Sequence, residues 1–331
     1  MNLKIDVKEP FDVRSPLLRT KIRMDFSSKL AEAQRAHKEA SKLSAPTFLG
    51  IRMKADWSSA TPLWEKAALL FRQAGAPERA AECWLSASQG HKAQDSIWHA
   101  AKALEKAAEL DTASDQAYTL YADCANLYVE AGRPQTAAEA ASRGACRLSE
   151  TDAAKSSKLH GLAIKWLEES GKEGQSPDIY RQAALHAVRS QQWADAIKVE
   201  LGLALSAYNA RAYNAACKAY LAAIVIGLYC EDGKTAWSTY QDALAVPEFA
   251  SSDQAFAAQD LVQAVASGSG SVIEACVAKN PCFGFLDNCI VRLAKKMGAT
   301  DVRKTAQGLP KSLRQVTSQD RADEGFFEDL T

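Results

Sequence analysis

Leu70-Phe71-Arg72-Gln73-Ala74-Gly75-Ala76-Pro77-Glu78-Arg79-Ala80-Ala81 returns downstream as Leu127-Tyr128-Val129-Glu130-Ala131-Gly132-Arg133-Pro134-Gln135-Thr136-Ala137-Ala138. In both copies an apolar helical face runs into Ala-Gly, and a proline two residues later opens a second helical face. Glycine tolerates the left-handed conformation that ends a helix, and proline suits the first position of the next one. The stretch is therefore a helical hairpin, written twice. Around the first copy, Ala67, Leu70, Phe71 and Ala74 line one face, and Ala80, Ala81, Trp84 and Ala87 line the other.

Outward from these copies, Ala, Leu, Glu, Lys and Gln recur at three- and four-residue spacing from Phe26 to Met297, and alternating β-type patterns are scarce. Weaker echoes of the turn occur at Ser190-Gln191-Gln192-Trp193-Ala194-Asp195-Ala196 and at Glu231-Asp232-Gly233-Lys234-Thr235-Ala236-Trp237. An aromatic residue beside each turn fills the groove between one hairpin and the next. The pattern predicts an all-α, tetratricopeptide-like right-handed superhelix of antiparallel hairpins, with a smaller helical bundle at the C-terminal side. The echoes are irregularly spaced, which excludes a strict ~34-residue repeat. The expected division is a disordered arm over 1–26, a repeat array over 27–245, a bundle over 246–297 after Val246-Pro247-Glu248-Phe249, and a flexible tail over 298–331.

Forty Lys and Arg against forty Asp and Glu leave no net charge, so the chain as a whole is not an electrostatic binder of nucleic acid or anionic lipid. The eight cysteines contain no Cys-x-x-Cys and read as reduced, buried thiols of a cytoplasmic protein. Lys4, Lys8, Arg14, Arg19 and Lys21 interrupt the apolar runs of the N-terminal segment, which excludes a secretory signal there. The longest uncharged apolar run, Ala219 to Cys230, falls short of the ~20 residues of a bilayer span.

Catalytic patterns are absent. Gly233-Lys234-Thr235 invites a phosphate-loop reading, but Leu228 stands where the motif needs its earlier glycine, and a helix rather than a strand precedes it. The reading is a plain inter-helix turn, so neither an enzyme nor a nucleotide cofactor is expected. His37, His91, His99, His160 and His186 never fall at helical metal-ligand spacing, and Cys276, Cys282 and Cys289 lack paired-ligand spacing, so no metal is expected. Adjacent Glu168 and Glu169 point apart on a helix.

Two segments remain as functional candidates. Phe48, Leu49 and Ile51 lie on a loop-like stretch followed by Arg52 and Lys54, and either dip into an anionic bilayer or staple two helices together. Gly325-Phe326-Phe327-Glu328-Asp329-Leu330-Thr331 places apolar residues in an acidic segment unsuited to a core, which fits a docking tail.

Phe48-Leu49 followed by Lys54-Ala55-Asp56-Trp57, the duplicated hairpin, Ile179-Tyr180 leading to Gln192-Trp193-Ala194-Asp195-Ala196, Val246-Pro247-Glu248-Phe249, and Pro281 to Asn288 occur in an order that resembles the soluble NSF attachment proteins, most closely their gamma type. The resemblance runs from about Lys29 to Lys296 and returns at the extreme C-terminus. It implies a cytoplasmic, peripherally membrane-associated adaptor that lines an assembled SNARE complex and presents it to NSF, a hexameric AAA+ ATPase. On that resemblance Phe48 and Leu49, with Ile51 beside them, form the membrane loop. Arg133 and, more loosely, Lys218 are SNARE contacts, and Glu328, Asp329 and Leu330 stimulate the ATPase. Glu139 stands where the alpha type carries a lysine. A general peptide-gripping repeat adaptor is the alternative reading, and a nucleotide-binding enzyme resting on Gly233-Lys234-Thr235 is a more distant one.

Overall fold

The computed structural model describes residues 16–45, 55–111 and 114–313. Phe48, Leu49 and Ile51, and likewise Glu328, Asp329 and Leu330, lie outside the described residues. The chain divides into two compact units, Met1–Ala140 and Ala141–Thr331, and no strand occurs among the described residues.

The first unit contains α1 (Pro16–Ser44), α2 (Trp57–Gln73), α3 (Pro77–Ala93), α4 (Ile97–Leu110) and α5 (Ser114–Glu130), and reaches into α6 (Pro134–Leu148). From α1 to α5 each helix packs on the next, and short connections make these neighbours antiparallel. Alanine dominates the contact surfaces: Ala33, Ala36 and Ala40 of α1, Ala60, Ala67 and Ala68 of α2, and Ala100, Ala103 and Ala107 of α4 are all buried. Small side chains let helix axes approach closely, while Phe71, Trp84, Tyr121 and Tyr128 supply the larger buried surface.

The second unit contains α7 (Ala153–Ser170), α8 (Pro177–Arg189), α9 (Trp193–Asn209), α10 (Tyr213–Tyr229), α11 (Gly233–Leu244), α12 (Pro247–Ala250), α13 (Asp253–Ala266), α14 (Gly270–Lys279), α15 (Asn288–Met297) and α16 (Arg303–Gly308), with 3-10 turns at Glu173–Gln175 and Pro281–Phe285. Its organising element is α10. Every residue from Leu221 to Leu228 is buried, and the helix packs against α9, α11, α12, α13 and α15. A helix apolar all round must be enclosed. The run Ala219 to Cys230 is thus a core helix, and no described helix is long and apolar enough to cross a membrane.

One turn recurs throughout. A residue with φ between 57° and 70° ends the helix at Gly75, Asp95, Gly132, Gly171, Gln191, Arg211 and Glu231. The amide of the next residue then donates back to a carbonyl in the last helical turn: Ala76 to Phe71 at 2.9 Å, Ser96 to His91 at 2.9 Å, Arg133 to Tyr128 at 2.8 Å, Lys172 to Leu167 at 3.0 Å, Gln192 to Ala187 at 2.8 Å, Ala212 to Ala207 at 2.8 Å, and Asp232 to Gly227 at 3.1 Å. This is the Schellman arrangement, which satisfies carbonyls the helix leaves unpaired.

The structure corrects three expectations. Helix α1 begins at Pro16, inside the segment assigned to the arm over 1–26, because proline is favoured at a first helical position as well as being a breaker. Residues 246–297 do not form a separate bundle: a single apolar core runs from Ala187 to Leu309, since α10 needs cover on the side that α9 and α11 leave open. Within the stretch assigned to the tail, residues 302–309 are packed, with Val302, Thr305, Ala306 and Leu309 buried and α16 set against α11 and α13. In the α10–α11 turn the left-handed residue is Glu231, and Gly233 opens α11. Glycine is needed at 233 because a Cβ there would collide with the carbonyl oxygen of Thr305.

The thiols are more varied than expected. Cys83, Cys124, Cys217 and Cys282 are buried, Cys230, Cys276 and Cys289 are half-buried, and Cys146 is exposed; all are free. Burial pushes the Cys83 thiol up to about 12, which keeps it protonated and unreactive.

Candidate functional site

In the first unit, cations lie flat on aromatic rings. Lys106 Nζ stands 3.9 Å from the centre of the Trp84 ring, Lys102 Nζ stands 5.1 Å from that of Trp98, and the Arg79 guanidinium carbon stands 4.3 Å from that of Phe71. Trp98, Lys102 and Lys106 share one stripe of α4 because they are spaced by four residues. A ring face attracts a cation and fixes an otherwise mobile side chain. The Lys106 ammonium lies below the ordinary lysine range, first through burial and then through repulsion by Lys102 and Arg72; Glu65 and Glu109 act in the opposite sense. Lys102 and Arg72 are thus close enough to Lys106 to repel it, beside the larger effect of burial.

Arg133 is exposed at the turn between α5 and α6. Its backbone amide closes that turn on Tyr128, leaving the guanidinium directed by nothing in the turn itself. Tyr128 also donates its hydroxyl to Glu105 Oε2 at 3.0 Å, tying α5 to α4. Glu139, on α6, accepts from Gln135 Nε2 at 3.4 Å.

Lys218 belongs to the second unit. It lies on α10 beside a cleft of about 890 Å³ whose walls include Arg181, Glu200, Arg211, Tyr213 and Phe285. Its ammonium stands 5.5 Å from the centre of the Phe285 ring, and Phe285 is 66% exposed. Burial pushes the Glu200 carboxyl up to about 8, with Asp287 adding to the shift and Arg181 opposing it. Glu200 is thus largely protonated near pH 7, and Arg181, Arg211 and Lys218 outnumber Asp287 in the lining of the cleft.

Elsewhere the chemistry is structural. His160 and His186 lie with ring centres 5.4 Å apart, a pairing across helices that spacing along one helix does not reveal. Burial, with a smaller contribution from His186, lowers His160 to about 4, so this imidazole is neutral. At Gly233-Lys234-Thr235 the Asp232 carboxylate accepts from the Thr235 amide at 3.0 Å, so the anion-binding start of α11 already holds a carboxylate. Helix α10 precedes it, as the sequence pattern requires of a turn and not of a phosphate loop.

Residues 26–296 match the family described as Soluble NSF attachment protein, SNAP. A gamma-soluble NSF attachment protein of Arabidopsis thaliana is 35% identical over 254 residues, which is 76% of this chain and 87% of that protein. The chain belongs to the soluble NSF attachment protein family. A gamma-soluble NSF attachment protein of Dictyostelium discoideum is 28% identical over 275 residues, 82% of this chain and 84% of that one. Among solved structures, a signal-transduction ATPase with a tetratricopeptide repeat sensor from Pyrococcus horikoshii is 12% identical with a TM-score of 0.36, over 91% of this chain and 45% of that one. That likeness is too slight to bear on the fold.

Within the family frame, the resemblance selected Arg133 and Lys218 and passed over Arg72, Arg79, Lys102 and Lys106. The missed signal is the Trp98-x3-Lys102-x3-Lys106 spacing, legible once α4 is taken as a helix.

Proposed function

We propose that the chain is an NSF adaptor: it lines an assembled SNARE complex and delivers it to NSF, an AAA+ ATPase, for disassembly in vesicle-mediated transport. The observation that carries this reading is the family match over residues 26–296, with 35% identity to a gamma-type relative. The cations at Arg133 and Lys218, together with Lys102 and Lys106 on their aromatic rings, supply the charge that an acidic helical bundle requires. Phe48, Leu49 and Ile51 are the membrane loop of this reading, and Glu328, Asp329 and Leu330 are the ATPase-stimulating end. ATP hydrolysis belongs to the partner, and the chain works peripherally on the cytoplasmic side of the membrane.

The test is NSF-driven disassembly of SNARE complexes reconstituted in liposomes. Wild-type chain recruits NSF and supports disassembly; Leu330→Ala retains SNARE binding and loses most of the stimulation. Phe48→Ser with Leu49→Ser loses activity on liposomes and keeps it on detergent-solubilised complexes. A wild-type chain that neither recruits NSF nor supports disassembly ends the adaptor reading.

A further inference from the structure

The cleft of the second unit carries more than a single cation can use. Arg181, Arg211 and Lys218 stand at its walls, against Asp287 as the acidic residue of the lining besides Glu200. Arg181 is held by Asp178 at 2.8 Å, whose side chain is 80% exposed, while Arg211 and Lys218 have no ion pair among the described residues. Phe285 and Tyr213 present rings that are 66% and 39% exposed beside them. Two polar side chains at the floor, Glu200 and Ser206, are 2% and 3% exposed, and Glu200 Oε1 and Ser206 Oγ have no hydrogen-bond partner among the described residues. Buried polar atoms are seldom left unpaired. Their presence in a cationic, aromatic-walled cleft marks a place for a ligand with backbone amides, negative charge and apolar side chains.

We propose that this cleft binds the chain's own C-terminal segment, Asp323-Glu324-Gly325-Phe326-Phe327-Glu328-Asp329-Leu330. The segment supplies the complementary chemistry: Asp323, Glu324, Glu328 and Asp329 meet Arg181, Arg211 and Lys218, and Phe326 and Phe327 meet Phe285 and Tyr213. Its reach is sufficient. Leu313 packs on the core of the second unit, and the thirteen residues from there to Phe326 span roughly 40 Å when extended. That is about the diameter of a domain of this size. Near pH 7 the neutral Glu200 adds no repulsion toward an acidic segment, and its carboxylic acid both donates to and accepts from a peptide backbone. Docking in this way holds the acidic end on the second unit until a tighter partner displaces it, which gives the tail a second state besides the one in which it serves an ATPase.

The experiment measures fluorescence anisotropy of a dye-labelled synthetic peptide of residues 321–331 with full-length chains. In wild type the tethered segment competes at an effective concentration on the order of millimolar, so the peptide binds weakly. The Phe326→Ser/Phe327→Ser chain, whose own segment is disabled, binds it at least tenfold more tightly. Adding Arg211→Glu and Lys218→Glu to that chain lowers affinity at least tenfold. A peptide carrying Glu328→Lys and Asp329→Lys restores binding to the reversed cleft, which also shows the variant folded. Phe285→Ala, at an exposed ring, lowers affinity independently of charge.

Peptide that fails to bind the disabled chain, or binds the cleft variants unchanged, overturns the proposal. Equal binding to wild type and the disabled chain also overturns it, because the segment would then serve a second copy. No ATPase is present, so failure here leaves the adaptor reading standing.

Discussion

Gly233 at the start of α11 and Gly308 at the end of α16 meet backbone to backbone: a methyl built on Gly308 falls 2.9 Å from the amide nitrogen of Lys234 and 3.0 Å from Cα of Gly233. A methyl on Gly233 collides with the Thr305 carbonyl, which is backbone and cannot swing aside. Overpacking of this kind costs about 1–3 kcal/mol, whereas the gain in helix propensity from alanine is at most about 1 kcal/mol. Gly233→Ala therefore destabilises the second unit by about 1–2 kcal/mol, read as a lower urea midpoint. A gain in stability would show that α16 does not rest on α11.

The recurring turn makes a prediction with two signs. Gly132 and Gln191 hold nearly the same left-handed backbone, at φ 70° and 57°, which a residue with a Cβ adopts at a cost of about 1 kcal/mol. Gly132→Ala destabilises by about that amount. Gln191→Gly stabilises by less, since glycine also gives the unfolded chain more freedom. Paired unfolding curves check both, and two changes of the same sign would refute a shared turn.

The same contrast explains how far the sequence could be read. Gly75 and Gly132 announce their turns because glycine is the residue that favours a left-handed backbone, so hairpin architecture was legible from them. Asp95, Gln191, Arg211 and Glu231 make the equivalent turn with nothing in their composition to say so, and the repeats there looked faint. Gly233 is the converse case: its glycine answers a contact with residues about seventy positions away, which no local pattern records. Helix α16 has six residues, too few for a helical period to show. Of the candidate site, Arg133 and Lys218 came from resemblance. The stripe of Trp98, Lys102 and Lys106 was legible in the spacing, whereas the Trp84 ring beneath Lys106 and the burial of Glu200 were not.

Glu200 makes stability depend on pH. Its carboxyl titrates near its ordinary value, about 4.3, in the unfolded chain and at about 8 in the folded one. Between these the native state holds the additional proton, so this group's contribution is whole below about pH 4.3 and is lost as pH rises through about 8. Burial is the main cause. The charged and titratable groups that bear on it are Arg181 of α8, Asp287 ahead of α15, the Cys289 thiol of α15, and the Arg211 and Lys218 cations of the shared cleft. Glu200→Gln keeps the shape without the titration. Urea unfolding at pH 5.5, 7 and 8.5 should show the variant gaining on wild type as pH rises. A constant difference across that range would mean that Glu200 is ionised in the folded chain.

Charge on the first unit should govern SNARE binding in a graded, salt-dependent way. Lys106 and Lys102 are fixed on Trp84 and Trp98, so little side-chain freedom is lost when an acidic surface meets them. Arg133 is exposed with its backbone held by Tyr128. Lys66 offers the internal control, because Glu32 already holds it at 2.8 Å. Reversing one surface charge changes binding to an oppositely charged partner by about 1 kcal/mol, roughly fivefold, at low ionic strength. Lys106→Glu and Arg133→Glu should therefore each weaken binding of a soluble assembled SNARE bundle about fivefold in dilute buffer. At 1 M salt, where screening acts over about 3 Å, the loss should shrink below about twofold. Lys66→Glu should stay within about twofold of wild type throughout. Calorimetric titration at the two salt concentrations separates the cases: equal losses for Lys66→Glu and Lys106→Glu would reduce the effect to net charge and remove the aromatic-held cations from the contact surface.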